Sequence, residues 1–210
     1  MDRKGDNVIY VVGDSHTAIF KNDPAFKVVE IAGTAHNLIH EKSTSNSHQK
    51  LQQVIDSIDK KSDFIMLALG ECDCRFHIYY QATKRGKPIF DIIDETVQNY
   101  GLALQWIWRQ NVNPIVLGIT PTGTYDRFEC DTPGKPYASP QMLSQIYKLF
   151  NQSMWIYCHQ SHIVYLDIYA RTADEKGFLK KEYAADAVHL NQKALPIIKE
   201  LLKSEMAGNL

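Results

Sequence analysis

The chain is 210 residues long, with 23 basic against 24 acidic side chains and a formal charge of −1, so it lacks the electrostatic footprint of a nucleic-acid-binding protein. With 44% hydrophobic and 22% charged residues, it has the apolar supply for a buried core and is not of disordered composition. At roughly 150 residues per domain, one domain over residues 1–210 is expected, and no apolar run approaches the ~20 residues that a membrane-spanning helix needs.

In chain order, the first apolar run is Val8 to Val12. It is too short for the centre of a signal peptide and reads instead as a strand. Gly13-Asp14-Ser15 follows, then His16 to Phe20, which can form a helix capped by Asp14 or Ser15. Lys27 to Ile31 is a second strand, and the Ser/Asn/His-rich stretch from Thr34 to Ser47 is a loop at its carboxyl end. His48 to Ile58 places Leu51, Val54, Ile55 and Ile58 on one helical face. Phe64 to Leu69 is a third strand, followed by Gly70-Glu71-Cys72-Asp73-Cys74-Arg75-Phe76-His77.

Ile92 to Trp108 repeats apolar residues at Ile93, Val97, Tyr100, Leu104 and Ile107. Trp106 and Trp108 cannot share its buried face, so one belongs to the core and the other to the surface. Ile115 to Ile119 is the fourth strand, and Thr120 to Pro140, with four of the eight prolines, is a long loop. Ile163 to Leu166 is the fifth strand, and Asn191 to Met206 is a closing amphipathic helix with Pro196 near its first turn. Continuous rather than alternating apolar strands, separated by helices, predict a parallel sheet buried on both faces, an α/β domain of three layers.

Ligands in such a domain bind beyond the carboxyl ends of the strands, and polar or glycine-rich residues gather at that edge: Gly13 to His16, Gly33, Gly70 to His77, and Thr120 to Gly123. A serine between a buried strand and a helix start can act as a nucleophile if a base and an orienting group reach it. Asp186-Ala187-Val188-His189, just before the closing helix, offers both at a spacing of three. Four cysteines, two separated by one residue, do not form a disulfide framework and read as reduced thiols of a cytoplasmic protein. Cys72, Cys74 and His77 with Cys158 and His159 also allow a zinc reading, although the spacing is not that of paired Cys-x-x-Cys ligands. Asn151-Gln152-Ser153 fits the glycosylation sequon by chance.

Taken together, these blocks resemble the SGNH hydrolase superfamily, the GDSL-type esterases and lipases. Gly13-Asp14-Ser15 is similar to the nucleophile block, Gly33 to the single-glycine block, Gly70 and Asp73 to the ends of the Gly-x-Asn-Asp block, and Asp186 with His189 to the Asp-x-x-His block. The resemblance covers nearly the whole chain. It implies a flavodoxin-like α/β/α sandwich around a central five-stranded parallel sheet, and hydrolysis of a small acyl ester without metal or organic cofactor, an acetyl group on a carbohydrate being one such substrate.

By the same resemblance Ser15 attacks the ester, His189 moves the proton, Asp186 orients His189, and the N–H groups of Ser15 and Gly33 face the oxyanion. The family's third donor, an asparagine, falls on Cys72, and a thiol is a weak donor. The run Gly-Glu-x-Asp-Cys-Arg-x-His resembles a branch of SGNH-like proteins in which this departure recurs. Arg75 is the expected replacement donor, and His77, Asp14 and His16 are further candidates for the site. Two alternatives stand beside the esterase: a weak or inactive SGNH-like binding protein, and a nucleotide or phosphate binder using Gly13 to Thr17. That last segment carries neither of the usual glycine-rich phosphate patterns.

Overall fold

The computed structural model describes residues 8–43, 45–123 and 136–207. Five parallel strands, β1 (Ile9–Gly13), β2 (Phe26–Glu30), β3 (Phe64–Ala68), β4 (Pro114–Leu117) and β5 (Val164–Leu166), form one sheet in the order β2-β1-β3-β4-β5. Each expected strand is present, shifted by one or two residues. The pairing is in register from Ile9 opposite both Phe26 and Phe64 to Gly13 opposite Glu30 and Ala68. The strand order turns back between β1 and β3, which makes the carboxyl ends of these two strands the topological switch point.

Period-two alternation along each strand feeds two cores. Tyr10, Val12, Ile65, Leu67, Val116 and Tyr165 point into one, under α1 (Ser47–Ser57), α3 (Ile89–Arg109) and α4 (Pro140–Gln160). Val11, Met66, Ala68, Ile115, Leu117 and Leu166 point into the other, against a 3₁₀ turn over Ser15–Phe20, α5 (Ile168–Thr172) and α6 (Leu195–Ala207). These are the three layers of the expected sandwich. Two short elements precede α3: a π-helical turn over Asp73–Ile78 and α2 (Tyr79–Arg85).

In α3, Ile93, Val97, Tyr100, Leu104 and Ile107 are buried as the spacing predicts, Trp106 packs partly against the core, and Trp108 is exposed. Helix α4 is a further 21-residue element with Ser139 as N-cap and Pro140 in its first turn. It buries Leu143, Ile146, Tyr147, Phe150, Met154 and Cys158. Asn151 sits inside this helix face, donating to the carbonyls of Ile119 and Tyr147 and accepting from the Tyr165 hydroxyl, so the sequon is structural. Most of the long loop expected from Thr120 to Pro140 lies outside the described residues. Among the described residues no helix is long and apolar enough to cross a membrane.

Candidate active site

At the switch point β1 ends on Gly13, and the residue type there is dictated by proximity: a Cβ would lie 2.2 Å from the Ala68 carbonyl oxygen at the end of β3. The chain then turns into the 3₁₀ helix, with Asp14 as N-cap accepting from the His16 N–H at 3.0 Å. This turn leaves Ser15 exposed between the buried Asp14 and the half-buried His16. Across from it lies the segment before α6. It is closed into a loop by an Ala184–Leu190 bridge, a Gly123 N–H bond to the Ala187 carbonyl, and the Asn191 side chain, which donates to Glu182 and Ala184.

That loop delivers the base. Ser15 Oγ lies 2.8 Å from His189 Nε2, and His189 Nδ1 lies 2.7 Å from Asp186 Oδ2. The other carboxylate oxygen of Asp186 accepts the N–H groups of Val188 and His189, each at 2.9 Å. Burial works against the ionised Asp186, but these backbone donors and the imidazole outweigh it and hold the carboxyl at about 2. With Asp186 ionised, Nδ1 carries the proton and Nε2 is left to accept from the serine hydroxyl. Ser15, Asp186 and His189 thus converge from opposite ends of the chain.

A second Asp–His pair stands beside the first. Asp14 Oδ1 is 2.7 Å from His16 Nδ1, His16 Nε2 is 3.2 Å from the Val188 carbonyl oxygen, and the rings of His16 and His189 lie 4.6 Å apart, centre to centre. Burial acts against both charges, yet the mutual hydrogen bond and attraction prevail. Asp14 is held below the usual carboxylate range, and His16 is raised, with Glu71 adding to its shift and Arg75 opposing it.

The segment after β3 departs from what the sequence suggests. Gly70 adopts φ +118°, and a Cβ there would meet the Phe150 ring at 2.7 Å, so glycine is required for backbone and packing reasons together. The Cys72 thiol is pushed up to about 12 by burial and by the charges of Glu71 and Asp14, and its Sγ is turned toward Asp14 Oδ2 at 3.7 Å. Its one weak donor is therefore spent on a carboxylate. Arg75, expected as the replacement oxyanion donor, is instead ion-paired with Glu71 at 3.0 Å and lies over the Phe76 ring. Glu71 and Arg75 are one turn apart on the helical segment, and the buried Glu71 also accepts the Tyr147 hydroxyl at 2.6 Å.

Asp73 is fully buried, accepting from the Ala35 and His36 N–H groups at 2.7 and 3.2 Å; burial lifts its carboxyl to about 7 against those two bonds. It braces the loop after β2, and is not a donor to the site. His77 is exposed and faces a separate cavity of about 240 Å³ with His36, Asn37, Gln81, Arg85 and Glu95. Cys74 is buried in the core, so Cys72, Cys74 and His77 point in different directions, and among the described residues no group of His, Cys, Asp and Glu is placed to hold a metal ion. Gly33, in the loop after β2, has an N–H that makes no hydrogen bond among the described residues, and a Cβ there would crowd Ser47 at 2.8 Å.

Two residues of the site are not singled out as candidates by the sequence: Thr120, known from it only as part of the polar strand edge, whose hydroxyl donates to the Val188 carbonyl at 3.0 Å, and Tyr147. The spacing Leu143, Ile146, Tyr147, Phe150, Met154 would have placed Tyr147 on a buried helix face.

No family model and no curated protein matches the sequence. Solved structures do match over nearly the whole chain. A GDSL-like lipase from Bacteroides thetaiotaomicron superposes with a TM-score of 0.59 at 15% identity, covering 97% of this chain and 89% of its own. The chain has the fold of the GDSL-like lipases. Phospholipase A1 from Streptomyces albidoflavus gives a TM-score of 0.55 at 12% identity over 96% of this chain and 100% of that one. The OSK domain of Drosophila Oskar gives 0.60 at 14% over 93% and 86%. At such identities the likeness is one of fold, and the chemistry must be argued from the side chains.

Proposed function

We propose that this protein is a serine esterase of the GDSL type, acting on small acyl esters through Ser15, His189 and Asp186. The observation that carries this reading is the unbroken hydrogen-bond chain from Ser15 Oγ through the two nitrogens of His189 to Asp186. His189 takes the hydroxyl proton as Ser15 Oγ attacks the ester carbonyl, and the imidazolium so formed is stabilised by Asp186. The tetrahedral intermediate collapses by breaking its bond to the alcohol oxygen, which receives the proton from His189. A water molecule then repeats the sequence on the acyl-serine, with His189 again as base, and releases the carboxylic acid. We assign the oxyanion to the N–H groups of Ser15 and Gly33.

His16 and Leu190, the sequence neighbours of Ser15 and His189, line a small crevice with Ile19, Ala68, Leu117, Glu71 and Thr120; at about 20 Å³ it has room for about one water, so a short acyl group such as acetyl rests on the resemblance of the sequence blocks. The loop that carries Gly33 also lines the polar cavity at His36 and Asn37, with Gln81, Arg85 and Glu95 opposite. A carbohydrate as the alcohol rests on the resemblance of the sequence blocks alone.

The test is hydrolysis of p-nitrophenyl acetate by wild type and Ser15→Ala. Turnover by the wild type and its loss in a folded Ser15→Ala support the triad; equal turnover in both overturns it. A second reading, a binding protein with an incomplete oxyanion hole, is favoured by the commitment of Cys72 to Asp14 and of Arg75 to Glu71. Under that reading the wild type turns over no ester, and Cys72→Asn, which brings back an amide donor, creates activity.

A further inference from the structure

We propose that His16 is a positioning residue: a doubly protonated imidazolium that bridges Asp14, next to the nucleophile, and the carbonyl of Val188, next to the base, and so holds His189 within reach of Ser15. The role of His16 in turnover rests on the proposed triad, whereas its protonation state does not.

Nδ1 of His16 faces the Asp14 carboxylate at 2.7 Å and Nε2 faces the Val188 carbonyl oxygen at 3.2 Å. Both partners are acceptors only. A neutral imidazole has one N–H and one lone pair, so in either tautomer it would turn a lone pair on one of these oxygens; only the imidazolium satisfies both. The arrangement also has a mechanical consequence. Asp14 caps the turn that presents Ser15, and Val188 immediately precedes His189. His16 is therefore a strut between two segments 172 residues apart in sequence, and its ring lies against that of His189. The Thr120 hydroxyl anchors the same Val188 carbonyl from the end of β4.

The titratable groups around His16 come from three places: Asp14 on its own turn, Glu71, Arg75 and, through Asp14, Cys72 from the segment after β3, and His189 from the loop before α6. Burial disfavours the cation, but Asp14 and Glu71 favour it over the opposition of Arg75, and His16 is raised above its ordinary value. The sign follows. The strut is complete below the ordinary histidine value of 6.5 and is lost as pH rises through the raised value, because the ring then keeps a single N–H and releases one of its two acceptors. Loss of the strut should appear as an alkaline limb in turnover against pH.

Two measurements test this. In protein labelled with ¹⁵N-histidine, the ring nitrogens of His16 at pH 7 should both show imidazolium shifts and move to those of a neutral ring on going to alkaline pH. A neutral His16 at pH 7 overturns the proposal, whether or not the protein hydrolyses esters and whether or not any variant folds. In turnover of p-nitrophenyl acetate, His16→Gln, which keeps an amide donor for Val188 but cannot titrate, should lower kcat at pH 7 by ~10–100-fold, the scale of lost support to a reacting group. It should leave KM little changed and abolish the alkaline limb. Survival of that limb in His16→Gln removes the role. A wild type that neither turns over ester nor reacts with a fluorophosphonate defeats the esterase reading and the assigned role in turnover, while the NMR result still decides the imidazolium.

Discussion

Replacing Arg75 with alanine separates a structural cation from a catalytic one. Arg75 Nη2 is 3.0 Å from Glu71 Oε2, and the two side chains are 15% and 2% exposed. Removing the guanidinium leaves a buried carboxylate whose remaining side-chain donor is the Tyr147 hydroxyl at 2.6 Å. Breaking a buried pair from one side costs about 3–5 kcal/mol, and in a domain of this size each kcal/mol moves Tm by ~2–4 °C. Arg75→Ala should therefore lower Tm by about 6–20 °C. At a temperature where the variant is folded, turnover of p-nitrophenyl acetate should stay within about tenfold of wild type, short of the ~10²–10³ loss of an oxyanion donor. Because the cost lies in the stranded charge, the double variant Glu71→Gln, Arg75→Met should recover most of the Tm. Thermal unfolding followed by circular dichroism, with kcat on the same samples, reads both quantities. An unchanged Tm together with a 10²–10³-fold fall in kcat would refute the reasoning and return Arg75 to the oxyanion.

Asp186→Asn should lower kcat by about 10²–10⁴ with little change in KM, since it removes the charge that stabilises the imidazolium and disturbs the His189 tautomer; water reaching this half-exposed carboxylate argues for the lower end. Asp73 is raised to about 7, so its contribution to stability is present below its ordinary value of 3.8 and lost as pH rises through 7. Urea midpoints should accordingly show Asp73→Asn to be more destabilising at pH 4.5 than at pH 8, and equal shifts at the two pH values would contradict the assignment. Asp186, held at about 2, contributes in the opposite sense, above 3.8, and loses that contribution as pH falls through 2; the acid limb of unfolding should therefore weaken in Asp186→Asn. Gly70→Ala must strain a φ of +118° and displace the Phe150 ring, and should cost ~1–3 kcal/mol in chemical denaturation.

Strands β1, β3, β4 and β5 were legible because they are largely buried on both faces, which a parallel sheet writes as an uninterrupted apolar run, whereas β2 is an edge strand with Lys27 and Glu30 exposed and was legible from Val28, Val29 and Ile31. The Asp186–His189 pair was legible from its spacing, and Ser15 from its place between strand and turn. Helix α4 was not read because its outer face carries the large apolar residues Trp155 and Ile156, which blur the amphipathic pattern, while the polar Asn151 stands within the buried stripe; Asn151 belongs inside only by virtue of partners on other elements. The direction of Arg75 depended on Glu71 being one helical turn away, a relation that exists only once residues 71–78 are known to be helical. His16 shows the limit most clearly: its charge state follows from an acceptor 172 residues distant, which no local pattern encodes.

The most direct test of the triad is reaction of the native protein with a fluorophosphonate, followed by mass spectrometry of the adduct, since such a reagent modifies only a serine whose hydroxyl has an adjacent base. A single adduct on Ser15, lost in His189→Ala, is the predicted result; a folded protein that stays unlabelled, or is labelled at another serine, would contradict it.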